Sequence, residues 1–532
     1  MKNVPTLTAL PALSRSQMLC CVLIPCVVWA LLSVMALGNL DSQHDMLENY
    51  AWSQPMLLGT HKHPPFFAWV VGVWFMVFPE SDWAYRLLSY INVAVGLWGV
   101  LVLGQRLGLG NLARWGALLL LWTLPYTTLA GKFNANSQLL SVWPWTAALL
   151  LASWQEEGWR GWWYSMWLGV LAAASMLSKY YSGVFLAGFL LPIFLHPQGR
   201  RWLLTARPYV ALAAFGLALL PHVLWMAQHD WAPIDYVKSQ GEDGVVGWKY
   251  VARFALSPLF YWLPAWLAVC VLYGRHHSRV TGQAMGRSIA QCLWRIWMPQ
   301  GLGDTLFWLA LMPWLMTLVF GITGMVVLST PWAIPIGYAF GLLWLRNLYA
   351  YSPQAMAPVL QGLQRAWWPV VGGVVLFGVV AAFANALTGE RWYYRPTREA
   401  AQAMLAQWEQ RHPGKVLEWV GGEWTENASI TFYARPGLLT IPDTPDSLGA
   451  QLAHIGDWRR REGLMLCALG ATDAMSALSD NVCVRDSQAW LAQQGLDVQP
   501  HIVQVQRSGW RFPYPVSYSY AVFDVPATRS PD

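Results

Sequence analysis

The residues best suited to chemistry lie between Asp41 and Pro65, DSQHDMLENYAWSQPMLLGTHKHPP, a polar and aromatic stretch directly after the first membrane-length apolar run. It carries three acids, three histidines and one lysine in a chain that is only 12% charged. Asp45 and Glu48 are carboxylates that could take a proton from an acceptor hydroxyl, which is general-base work. Lys62 and His63, with His61 beside them, could hold a phosphate through charge-assisted hydrogen bonds. Pro64 and Pro65 fix the backbone where the stretch re-enters the apolar part of the chain. The competing reading is an ordinary polar loop. His44, Asp45, His61 and His63 could also serve as metal ligands, but spacing this irregular is weak evidence; a divalent metal stays open and no other cofactor is expected.

Three later segments carry further candidates. GKFNANSQLLSVWPW sets Lys132, Asn134, Asn136 and Gln138 between one apolar run and the next, where helix caps are the alternative to a binding role. Lys179, in LSKYYSG beside Tyr180, interrupts an apolar stretch; it could snorkel to the interface or meet an anionic lipid headgroup. PHVLWMAQHDWAPIDYVKSQGEDG brings His229 and Asp230 into an aromatic loop whose Trp and Tyr also fit an interfacial belt. His222, inside the preceding apolar run, reads as a core histidine.

The elements that must position these residues are membrane helices. The chain of 532 residues is 56% hydrophobic with 36 Trp and a mean hydropathy of +0.34, which is the range of polytopic membrane proteins. No strand alternation suited to a barrel is present. No compact basic patch with interleaved aromatics suggests a nucleic-acid partner. The first apolar run, about 18–37, is too long for a signal-peptide core and reads as a retained helix. FFAWVVGVWFMVFP is short for a crossing and reads as an interfacial or buried segment. Further spans are expected at about 85–104, 115–131, 138–153, 162–177, 181–195, 208–226, 250–273, 304–323, 331–346 and 367–388, eleven to thirteen helices in all.

The Lys and Arg of alternate loops give the orientation. Arg106, Arg114, Arg160, Arg200, Arg201, Arg275, Arg279, Arg287, Arg295 and Arg346 fall on the side of Lys2 and Arg15, which is expected to be cytoplasmic. Most loop acids, Asp45, Glu48, Glu80, Asp230 and Asp235 among them, fall on the other. From Gly389 the composition becomes that of a soluble domain, with helices and strands alternating as in a small α/β fold. The expected division is a membrane domain over 1–388 and an outer-face domain over 389–532. Cys467 and Cys483 could pair if that domain faces an oxidising compartment; spacing alone does not decide it.

These segments together resemble bacterial members of glycosyltransferase family 39, in the GT-C superfamily of protein mannosyltransferases and the lipid A aminoarabinose transferase. The resemblance lies in Asp45, Trp52–Ser53 and His63–Pro64–Pro65 of the first loop, in NANSQLLSVWPW, in LSKYYSG and in PHVLWMAQHDW. Met46 stands where the family often has Glu, so the acidic pair is reduced to Asp45 unless Glu48 substitutes. Asn136 stands where many members have Asp, and Lys179 holds the position of the family's Lys. The resemblance implies a GT-C membrane fold in the bacterial inner membrane with a periplasmic C-terminal domain. It implies transfer of a sugar from a polyprenyl-phosphate donor to a lipid, glycan or protein acceptor, lipopolysaccharide among them. Asp45 would be the base, Lys179 with Lys62 or His63 would bind the phosphate, and Asn134, Asn136, Tyr180, His229 and Asp230 would position sugar or acceptor. A transporter or lipid flippase is the competing class; it would favour inverted repeats and midplane charges, and neither is found in the sequence.

Overall fold

In the computed structural model, described over residues 7, 10–40, 45–54, 56–239, 247–388, 395–452, 455–470, 478, 480–507 and 516–528, helices predominate. In chain order they are α1 Arg15–Leu37, α2 Asp45–Ser53, α3 Phe66–Phe75, α4 Asp82–Arg106, α5 Asn111–Leu119, α6 Ala135–Gln155, α7 Gly158–Ser178, α8 Ser182–Ala187, α9 Leu190–Leu195 and α10 Pro197–Leu203. There follow α11 Arg207–Gln228, α12 Ala232–Ser239, α13 Trp248–Thr281, α14 Met285–Arg295, α15 Thr305–Ile322, α16 Phe340–Tyr351 and α17 Pro353–Thr388. The last part of the chain contains α18 Thr397–Arg411, β1 Trp419–Gly422, α19 Trp424–Ala434, β2 Leu439–Thr440, α20 Leu448–Leu452, β3 Gly463–Gly470, α21 Val482–Gln493, β4 His501–Arg507 and β5 Val516–Val525. The chain forms two compact units, one of Met1–Ala30 with Leu87–Leu376 and one of Leu31–Arg86 with Phe377–Asp532.

Six described helices, α1, α4, α11, α13, α15 and α17, are long and apolar enough to cross a membrane. The segment from α8 to α10, bent by 101°, makes a seventh if it is one span. The chain is a multi-pass membrane protein. At 21 residues each, α6 and α7 are also long enough for a hydrocarbon core of about 30 Å, but they are less apolar. The short α3 carries the ten residues Phe66–Phe75 and falls below crossing length.

Two of the expected spans are not continuous helices. Over 115–131, α5 ends at Leu119 and gives way to 3₁₀ turns at Leu120–Trp122 and Leu124–Tyr126, with Thr123 extended between them. Over 331–346, 3₁₀ turns at Thr330–Ala333 and Ile336–Ala339 precede α16. Pro125, Pro331 and Pro335 each remove a backbone donor and break the helical ladder. Irregular backbone at membrane depth is tolerated where protein covers it. Leu118, Leu120, Leu121, Ile336, Leu342 and Leu345 are fully buried. These stretches are apolar because they are the protein's core, a distinction that hydropathy cannot make. Gly116 and Gly341 allow the close approach of α5 and α16: a Cβ on Gly341 would lie 2.2 Å from the Gly116 carbonyl oxygen.

In the second unit a five-stranded sheet has the order β2-β1-β3-β5-β4, with β2, β1 and β3 parallel and β5 antiparallel to both β3 and β4. Side chains alternate across β3 as the pleat requires. Leu464 and Leu466 pack with Met404, Trp408 and Ile430 of α18 and α19, while Met465 and Cys467 pack with Trp458, Val484 and Trp490 on the other face. The helix after β1 therefore packs on one face of the sheet and the helix α21 on the other. Cys467 and Cys483 form a disulfide that ties β3 to α21. The alternation of helices and strands expected in the tail is present.

Gly341→Ala should lower stability by about 1–3 kcal/mol through overpacking, read as a lower melting temperature in detergent. Gly372→Ala, where an added Cβ meets nothing within 4 Å, should not lower it.

Candidate functional site

In the second unit the first polar loop is built around α2. Asp45 and Glu48 occupy its first turn, where negative charge complements the helix dipole. Their i,i+3 spacing puts both on one face. Thr60, 3% exposed, closes the turn that carries the basic residues. Its Oγ1 accepts from the backbone N–H of Lys62 at 3.2 Å and of His63 at 2.9 Å, and donates to the His63 carbonyl at 3.0 Å. That turn aims Lys62 Nζ at both Glu48 carboxylate oxygens, at 3.1 and 3.0 Å.

Glu48 Oε1 also accepts from the indole N–H of Trp424 at 3.2 Å. Trp52 forms the wall behind these groups: His61, His63 and Phe67 meet it edge-on, and Trp424 lies against it at 6.4 Å between centroids. Burial pushes the Glu48 carboxyl above the ordinary carboxylate range, opposed by Lys62 and Trp424. Burial, and then the neighbouring Lys62 charge, hold the His61 imidazole below its usual value. Among the described residues no three His, Cys, Asp or Glu side chains come together to hold a metal ion, and Lys62 takes both oxygens of Glu48.

In the first unit the second group of candidates assembles around the amino end of α6. Asn134 caps that helix, its Oδ1 accepting from the N–H of Asn136 and Ser137 at 3.0 Å each, with Ser137 reciprocating in a capping box. The cap that competed with a binding role for Asn134 is thus its observed contact. Lys179 follows the last turn of α7 in extended backbone. Its Nζ donates to Asn136 Oδ1 at 2.7 Å and lies 5.5 Å from the Trp332 ring centroid. Tyr180 shares a 2.8 Å hydrogen bond with His222 Nε2. His222, 2% exposed, begins a stacked column along α11 with Trp225 and His229. Asn92, Gln138 and Ser141 share a buried network in which Asn92 Oδ1 accepts from both partners. Asp230 and Trp231 both adopt the left-handed conformation, with φ of 51° and 57°, where the chain turns from α11 into α12.

The structure thus joins Glu48 to Lys62, Lys179 to Asn136, and Tyr180 through His222 to the His229 column. His44 lies outside the described residues. Thr60, Trp332 and Trp424 are contributors that sequence reasoning missed. Thr60 had a usable signal, a hydroxyl residue opening the Thr-His-Lys-His turn. Trp424 had none, since it lies in a segment of soluble composition 376 residues from its partner.

Residues 62–225 match the family of dolichyl-phosphate-mannose-protein mannosyltransferases. The structure of ArnT from Cupriavidus metallidurans bound to undecaprenyl phosphate superposes with a TM-score of 0.58 at 14% identity, covering 97% of this chain and 99% of that one. Its apo state gives 0.59 at 15% identity, covering 96% and 98%. No curated protein sequence matches the chain. The resemblance to the protein mannosyltransferases and their GT-C relatives read from the sequence is borne out, and the chain has the ArnT-like GT-C fold with a small C-terminal sheet domain.

Thr60→Val keeps the shape of the side chain and strands the Lys62 and His63 amides without their acceptor, at a cost of about 1–3 kcal/mol. Hydrogen–deuterium exchange over 60–63 should accelerate in this variant, with the tail strands unchanged.

Proposed function

We propose that this GT-C-fold membrane protein is a glycosyltransferase that moves a sugar from a polyprenyl-phosphate-linked donor to a hydroxyl of a lipid, glycan or protein acceptor. The observation that carries the reading is the match of residues 62–225 to dolichyl-phosphate-mannose-protein mannosyltransferases. That stretch contains Lys62, His63, Asn134, Asn136, Lys179 and Tyr180. The fold shared with ArnT, solved with undecaprenyl phosphate, supports a lipid-phosphate donor.

In this reading the acceptor oxygen attacks the anomeric carbon, its proton passes to Asp45, and the carbon–oxygen bond to the phosphate breaks with the electron pair leaving on phosphate. The product is inverted at the sugar carbon. Lys179 is assigned to stabilise the departing phosphate. Its Nζ donates to the Asn136 amide oxygen, while Lys62 faces the Glu48 carboxylate. Glu48 accordingly serves to hold Lys62. His63 packs on Trp52 and Phe67 and shapes the loop wall. Tyr180, and His229 and Asp230 at the end of the α11 column, are assigned to sugar or acceptor positioning.

The proposal places this chemistry on the outer face of the bacterial inner membrane, with the amino terminus cytoplasmic and residues 389–532 a periplasmic domain. The distribution of Lys and Arg supports that orientation. So does the Cys467–Cys483 disulfide, because such bonds persist in oxidising compartments.

The test is consumption of polyprenyl-phosphate sugars by the purified protein in lipid, wild type beside Asp45→Asn. Wild type should consume at least one donor, and the variant should lose about 10²–10⁴-fold in rate while inserting normally. Absence of consumption with every donor would overturn the transferase reading and favour transport. Asn136→Asp, which sets a carboxylate against Lys179, should weaken polyprenyl-phosphate binding by about tenfold. Equal binding by that variant would remove Lys179 from the phosphate site.

A further inference from the structure

Trp424 is the first residue of α19, directly after the carboxyl end of β1, and everything around it fixes its position. Gly422 has φ +97°, and a Cβ there would lie 2.1 Å from the Leu466 carbonyl oxygen, so only glycine lets the chain turn so tightly between the neighbouring strands. The Gly422 N–H donates to the Asp443 carbonyl at 2.7 Å and the Glu423 N–H to the Leu466 carbonyl at 2.9 Å. Glu423 Oε2 accepts from the Ala468 N–H at 3.2 Å. The first turn of α19 is held in its own right: Glu426 pairs with Arg395, and Asn427 donates to the Ile441 carbonyl at 2.7 Å.

The indole so presented does two things at once. Its face lies against Trp52, and its N–H reaches the Glu48 carboxylate that receives Lys62. His61 also approaches α20, its Cε1 being 3.6 Å from where a Gly449 Cβ would stand. In this unit the first polar loop therefore meets α19 and α20, the helices before and after β2.

We infer that Trp424 is a positioning residue of the transfer reaction, its indole N–H fixing the Glu48–Lys62 pair on the helix that Asp45 opens. The inference rests on the glycosyltransferase reading for its activity arm alone. It assigns the C-terminal sheet a part in the reaction, where composition suggested only an appended domain.

Trp424→Phe keeps the ring against Trp52 and deletes the N–H, so it separates packing from hydrogen bonding. Trp424→Phe and Glu48→Gln should each reduce kcat by about tenfold, as for loss of one hydrogen bond to a charged group, with donor KM within about twofold. The double variant should be no slower than Glu48→Gln, because both act through one interaction. A Trp424→Phe variant as fast as wild type, or a double variant whose losses multiply, would overturn the inference.

A second readout needs no turnover: acylation of Lys62 by an amine-specific reagent, followed by mass spectrometry of the full-length protein in lipid. Labelling should rise in Trp424→Phe while that of Lys415, which pairs with Glu462, stays constant. Unchanged Lys62 labelling would sink the positioning role even if the wild type transfers no sugar; that last result alone would count against the glycosyltransferase reading only.

Discussion

A charged side chain in a chain this apolar persists only with a partner, because stranding one away from water costs several kcal/mol. The rule is visible throughout. Arg346 forks onto both oxygens of Asp304 and onto Asn347, and Asn347 in turn ties down the carbonyls of Ile296 and Met298. Arg106 pairs with Glu156, and the 1%-exposed Arg86 reaches the Asn39 carbonyl. What distinguishes the candidate functional groups is therefore the kind of partner each has. Lys62 faces the Glu48 carboxylate, and Lys179 donates to the Asn136 amide and lies over the Trp332 ring.

The same scarcity of polar groups governs how the helices could be read. Where an apolar run is little covered by protein, as in α17 with 17% of its apolar window buried, hydropathy finds it. Where the run is buried in protein, hydropathy is just as high and misleads. The stretches 115–131 and 331–346 hold Pro125, Pro331 and Pro335, but α6, α11, α13, α15 and α17 run unbroken through prolines of their own, so proline alone did not mark these breaks. The Gly116–Gly341 approach packs α5 and α16, the helices next to these breaks, backbone against backbone.

In the tail, alternation carried most of the information. The apolar run of β3, buried on both faces, and the helical spacing on α18 and α21 are local properties, so these elements could be read from the sequence. Sheet order and the paired cysteines are not local. Cys467 and Cys483 are 16 residues apart with Cα atoms at 5.7 Å, and that proximity follows from β3 being succeeded by a helix on the Cys467 face. Spacing contains no trace of it.

The site divides along the same line. Residue types announced the chemistry of Asp45, Glu48, Lys62 and Lys179, whereas their pairing depends on separations of 14 residues for Lys62 with Glu48 and 43 for Lys179 with Asn136. Met46 shows how far local reasoning reaches. The resemblance placed an acid at that position in relatives, and its absence here left Glu48 as the substitute. Met46 is fully buried, and its carbonyl accepts from the Tyr85 hydroxyl at 2.8 Å. An acid there would face the core. Glu48, one turn from Asp45, is the position from which a carboxylate reaches Lys62 and Trp424. Helical period could suggest that Asp45 and Glu48 share a face; only the fold supplies the cation and the indole that make the second acid a holder of Lys62 and leave Asp45 as the candidate base.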